Sequence, residues 1–84
     1  MKIWVKLLKD QKITRSGTYT MKKYLNAENY DEILREICMD LDVSKPLGLK
    51  SHFRHFYDFN TVKYKADDFV ESVDFDCMVL ESYE

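Results

Sequence analysis

Glycine, proline and cysteine are scarce in this 84-residue chain, which holds two, one and two of them. With only Gly17 and Gly48 available, there is no glycine-rich loop to cradle a phosphate at a helix start. Two cysteines, Cys38 and Cys77, can close one disulfide at most and supply only part of a zinc ligand set. Long hydrophobic runs are missing as well: nothing approaches the roughly 20 apolar residues that span a bilayer, so no membrane partner is expected. The apolar stretch after Lys2 is broken by Lys6 and Lys9, and no small-residue cleavage site follows, so no signal peptide is expected either. There is no linker, low-complexity tract or internal repeat. Few cysteines on apolar stretches fit a reducing compartment, and the expected location is cytoplasmic.

What is present is globular in kind, with 45% apolar and 33% charged residues. The length predicts a single small domain over residues 1–84, a size that buries only about 60–65% of its unfolded surface. Trp4, five Phe and six Tyr supply large side chains to a thin core, one way to stabilise it without metals or disulfides.

Charge is sorted along the chain. Residues 1–24 carry seven Lys/Arg against the single acid Asp10, whereas residues 66–84 carry seven Asp/Glu and no base. Between them lie an acidic stretch, 25–49, and a mildly basic one, 50–65. A formal net charge of −2 therefore conceals a basic head and an acidic tail. Such asymmetry marks a partner surface or, equally, two segments that neutralise each other in the fold. In a chain this short the blocks are expected to be close, with a strand at 77–83 beside a strand at 2–8 and Glu81 near Lys2 and Lys6.

Periodicity supplies the elements. Ile3, Val5 and Leu7 alternate with Lys2 and Lys6 to predict a half-buried strand. Asp10-Gln11 is a polar turn, and Ile13–Thr20 alternates again, with Ile13 and Tyr19 on one face and Thr14, Ser16, Thr18 and Thr20 on the other. Gly17 within it signals a bulge or a close backbone approach. Asn29 followed by Glu32 reads as a capping box opening a helix. Tyr30, Ile33, Leu34, Ile37, Cys38 and Leu41 form its apolar stripe, and Pro46 forces its end. Residues 47–50 are expected as a strand and 52–59 as a short helix capped by Ser51 and stopped by Asn60, although strand-like alternation through Leu47, Leu49, Phe53, Tyr57 and Phe59 competes. Val62 and Tyr64 return to alternation, Asp67-Asp68 turn, residues 69–76 are irregular, and 77–83 is the last strand. The fold class is α+β: a mostly antiparallel sheet of four or five strands with one long helix on one face and a short second helix.

A strand starting Met1-Lys2-Ile3-Trp4-Val5, a helix ending near Asp42-Val43, Leu49-Lys50-x-His52 and the run Asp67 to Asp76 together resemble a family of small bacterial proteins of Firmicutes type whose function is unknown. The resemblance spans nearly the whole chain. It implies a bacterial, cytoplasmic protein and assigns no functional residue.

Side chains able to carry chemistry are few. His52-x-x-His55 would share a helix face at a spacing that holds a metal, but zinc needs three or four ligands, and an ordinary contact between His55 and Asp58 accounts for the spacing equally well. Cys–His nucleophilic catalysis would need Cys38 or Cys77 beside a histidine in an accessible electropositive pocket, and both lie on apolar stretches. Asp67, Asp68, Glu71, Asp74 and Asp76 lack the glycine and spacing of a calcium loop. Lys50 to Tyr57 interleaves bases with aromatics, as single-strand nucleic-acid binders do, and the head adds Lys2, Lys6, Lys9, Lys12, Arg15, Lys22 and Lys23. The net negative charge argues against that reading, and Phe53, Phe56, Tyr57 and Phe59 are more simply core. No catalytic, cofactor-binding or metal residue is assigned and no cofactor is expected. The expectation is a non-enzymatic interaction module working by protein–protein contact or self-association, with nucleic-acid association through the basic hairpin as the alternative.

Overall fold

The two alternating segments near the start form a hairpin in the computed structural model, which describes residues 2–21, 26–47 and 50–83. Strands β1 (Lys2–Lys9) and β2 (Lys12–Thr20) pair antiparallel through a two-residue turn. Asp10 and Gln11 both take positive φ, 52° and 67°, the twist a tight hairpin needs. Helices α1 (Tyr30–Asp40) and α2 (Lys50–Phe59) follow, then β3 (Thr61–Lys65), a 3-10 turn at Ala66–Asp68 and β4 (Cys77–Tyr83). The sheet runs β2-β1-β4-β3 with every neighbour antiparallel. The C-terminal strand thus lies beside the N-terminal one, as the charge blocks anticipate, with Trp4 opposite Glu81 and Lys2 opposite Tyr83.

Both helices cover the same sheet face. Ile3, Val5, Leu7, Val62, Tyr64, Met78 and Leu80 point into the core and meet Tyr30, Leu34, Ile37 and Cys38 from α1 and Phe56 from α2. Ile33 and Leu41, at the margins of the α1 stripe, are half-buried. The end of α1 comes close to β2, where a Cβ on Gly17 would stand 3.4 Å from Leu41 Cδ2. Gly17 therefore marks a close approach. Phe69 and Phe75, from the irregular stretch, close one end of the core edge to face at 5.3 Å between ring centroids.

Four local expectations are corrected. The pairing of β1 with β2 slips between Leu7 and Leu8, leaving Thr14 as the extra residue. A bulge moves every later side chain to the other face, so Ile13 lies opposite Leu8 and away from the face of Tyr19. The start of α1 is capped three residues early: the Asn26 side chain accepts the backbone N–H of Asn29 and the Asn29 side chain accepts that of Asn26, both at 2.9 Å. Asn29 itself is helical (φ −99°, ψ −4°), so the reciprocal box is Asn26–Asn29 and Glu32 has no part in it.

The strand expected at 47–50 is not formed. Pro46, lacking an N–H, makes one isolated bridge to Phe69, Leu47 N–H donates to Asp68 O at 2.9 Å, and Lys50 already belongs to α2. Gly48 and Leu49 lie outside the described residues, and Ser51 is inside the helix rather than its cap. Finally, α2 buries only Phe56 completely. Tyr57 and Phe59 are 68% and 65% exposed, because a helix crossing a thin core turns one narrow face inward. Asn60 does stop α2, with φ 59° and its N–H donating to Phe56 O at 2.8 Å.

Candidate interaction surface

Because both helices sit on one side, the other side of the sheet is built from alternate residues of four strands. The registers define its rows. Thr20, Lys2 and Tyr83 form the first, followed by Thr18, Trp4, Glu81 and Thr61. Ser16, Lys6, Val79 and Lys63 form the third, and Ile13, Leu8, Cys77 and Lys65 the last. In an antiparallel sheet with one wet face, polar residues alternate outward. Here Trp4 and Val79 occupy the central strands, Leu8 and Ile13 extend the apolar surface toward the hairpin turn, and Trp4 is 37% and Ile13 51% exposed.

Charge on the face is one-sided. Among the described residues it carries Lys2, Lys6, Lys63 and Lys65 against Glu81 alone. Lys6 Nζ lies 3.3 Å from Glu81 Oε2 and 4.3 Å from the centroid of the Trp4 ring, so one ammonium serves an ion pair and a cation–π contact together. Lys63 and Lys65 stand on an edge strand, where lysine also discourages edge-to-edge pairing.

Of the residues singled out by their chemistry, the histidines and Cys38 go elsewhere, and Cys77 lies in the last row of this face. His52 and His55 face different partners: His52 stacks on Tyr64 at 4.5 Å, with Nε2 3.8 Å from Asp68 Oδ2, while His55 Nδ1 is 2.7 Å from Thr61 O. His52 Nδ1 is buried with no hydrogen-bond partner among the described residues. Asp58 pairs with Arg54 at 3.7 Å instead of with His55. Among the described residues no three His, Cys, Asp or Glu side chains converge. Cys38 is buried behind α1, and burial pushes its thiol up to about 11, partly offset by Lys45, so it is protonated at neutral pH and a poor nucleophile. Cys77 is buried and lies on the opposite side of the sheet, beside Leu8 and Lys65.

Two members of the acidic cluster have structural work. Asp68 accepts the Lys65 N–H at 2.9 Å to close the 3-10 turn, and Asp76 accepts the Asp10 N–H at 2.8 Å across the hairpin turn. The basic head does not form one surface. Arg15 lies on the helix side, where it donates to Leu41 O, Lys22 and Lys23 lie outside the described residues, and among the described residues of the head Lys2 and Lys6 alone join the open face. Among the described residues, the head and tail blocks meet in one ion pair, Lys6–Glu81. Lys63, Lys65 and Val79 also belong to this face, and their alternation with Tyr64, Met78 and Leu80 is the signal for it in the sequence.

Among the described residues no helix is long and apolar enough to cross a membrane. No family model, curated protein or solved structure matches the chain.

Proposed function

We propose that the protein is a non-enzymatic binding module of the bacterial cytoplasm that works by protein–protein contact, with the uncovered sheet face as its contact surface. One observation carries this reading: a face that ought to be polar holds Trp4, Val79 and Leu8 on its two central strands and Ile13 beside Leu8, with lysines around them. An apolar centre with a charged rim is the anatomy of a protein interface, and tryptophan is enriched among the side chains that dominate binding energy. Two unpaired buried thiols support a reducing compartment.

The test is a pair of co-purifications from the native host, one with the native chain and one with Trp4→Ala/Ile13→Ser. Both positions are outside the core, so the melting temperature should hold. A protein retained by the native chain and lost from the variant supports the reading. Equal retention by both overturns it.

The excess of lysines over the single Glu81 favours a second reading, association with nucleic acid. That reading expects retention on single-stranded DNA at low salt that survives Trp4→Ala/Ile13→Ser and disappears in Lys63→Glu/Lys65→Glu.

A further inference from the structure

We infer that the occupant of this face is an acidic amphipathic helix of a different protein, an inference that rests on the contact reading above and adds the chemistry of the partner. Charge complementarity is the argument. Glu81, the only acid among the described residues of the face, is already engaged by Lys6 at 3.3 Å. Lys2, Lys63 and Lys65 remain without an ion-pair partner among the described residues. The protein as a whole is net negative, so this face is a basic island on an acidic molecule.

Geometry selects the shape. Strands are spaced about 4.8 Å apart, which puts β1 and β3, two strands away from each other, roughly 10 Å apart. That distance matches the diameter of an α-helix with its side chains, about 10–12 Å. A helix laid along the sheet between Lys2 and the Lys63–Lys65 edge would place apolar residues over Trp4, Val79 and Leu8. Acids on its flanks would reach the lysines.

Two other occupants fit less well. A second copy stacked face to face would bring two sets of lysines together, and like charges across an interface cost several kcal/mol. A single nucleic-acid strand needs aromatic platforms for its bases. Among its described residues the face offers two rings, Trp4 and Tyr83, and Trp4 already carries the Lys6 ammonium at 4.3 Å.

The chain contains one tryptophan, and it lies in this face, so its emission reports occupancy directly. The probes are an amphipathic helical peptide of about 18 residues, long enough for about 27 Å of helix, with leucines on one side and glutamates on the other, the same peptide with lysines for glutamates, and an oligo-dT strand. The glutamate peptide is expected to shift Trp4 emission to the blue and to bind ~tenfold or more tighter than the lysine peptide at low salt, with the preference falling as salt rises. Lys63→Glu/Lys65→Glu should reverse the preference, and Lys63→Gln/Lys65→Gln, which adds no repulsion, should abolish it.

Equal binding of both peptides would overturn the charge inference and leave the contact reading standing. No change in emission with either peptide would overturn both. Tighter binding of oligo-dT than of the glutamate peptide would assign the face to nucleic acid. A concentration-dependent sedimentation coefficient that Trp4→Ala returns to the monomer value would assign it to a second copy.

Discussion

Tyr30 and Tyr64 hydrogen-bond hydroxyl to hydroxyl inside the core, tying the first turn of α1 to β3. Tyr30 also meets two of the α2 aromatics, at 5.3 Å from Phe53 and 6.3 Å from Phe56, so this one ring joins the two helices and the sheet. Replacing either tyrosine by phenylalanine leaves the other hydroxyl buried and unpaired, which costs about 1–3 kcal/mol. The double variant Tyr30→Phe/Tyr64→Phe should be less destabilised than the sum of the two. Urea titration of the four proteins in the cycle measures the coupling, and strict additivity would show the pair to be energetically idle.

Alkaline pH should weaken the fold. Burial raises Tyr30 to about 12 and Cys38 to about 11 from ordinary values of 10.0 and 9.0, and it raises Tyr64 further. Above pH 9 the unfolded chain therefore sheds protons that the native state keeps, and stability falls as pH rises. Denaturant midpoints should be flat from neutrality to about pH 9 and decline progressively through pH 12. Tyr30→Phe/Tyr64→Phe should flatten that decline, whereas an unchanged slope would place its origin elsewhere.

The reciprocal box at the start of α1 gives Asn26 the capping role that the sequence pattern gives to Glu32. Asn26→Ala removes the side chain that accepts the backbone N–H groups of Glu28 and Asn29, at a cost of about 1 kcal/mol. Glu32→Ala, at an exposed site outside the box, should stay within about 0.5 kcal/mol. Thermal melts of the two variants discriminate, and a larger loss at Glu32 would restore the later cap.

The other end of α1 is improvable. Asp42 N–H donates to Met39 O and Val43 N–H to Cys38 O, a Schellman closure whose left-handed position, φ 55°, is filled by aspartate. Glycine has no steric penalty there, and removing an acid from a helix C-terminus relieves an unfavourable dipole contact. Asp42→Gly should raise stability by about 1 kcal/mol, the lower part of the left-handed penalty for a residue with a Cβ. A lower melting temperature would mean that Asp42 makes a compensating contact.

Both thiols should react slowly with a disulfide reagent in the native state, since Cys38 and Cys77 are buried. Cys38→Ser puts a hydroxyl into the apolar interface of α1 and should cost about 1–3 kcal/mol; Cys38→Ala should cost less. Reaction of either thiol at the rate of free cysteine, or a milder effect of serine than of alanine, would contradict the packing described.

Periodicity carried much of the architecture. Alternation at Ile3, Val5 and Leu7 and the stripe through Tyr30, Leu34, Ile37 and Cys38 describe the buried faces of β1 and α1 correctly, because a regular element repeats its environment at a fixed interval. Where regularity breaks, the pattern misleads. One extra residue at Thr14 moves Ile13 to the opposite face, and no local composition announces it. In α2, aromatic residues are spread around a helix that has room for one of them inside. The open face was the least legible part, since Lys2, Lys6, Lys63 and Lys65 share a surface only through the strand order, which long-range pairing decides.

That strand order also sets a timetable for synthesis. Lys6 and Glu81, neighbours across the centre of the sheet, are 75 residues apart in the chain. At ribosomal speeds of about 5–20 residues per second, β1 waits roughly 4–15 s for the strand that completes it. Through that interval the hairpin has Ile3, Val5 and Leu7 on one side and an open edge on β1, the combination that recruits foreign strands. A nascent chain stalled before β4 emerges has nothing to seal that edge, so a holding factor at the tunnel exit would meet this protein in its most adhesive state.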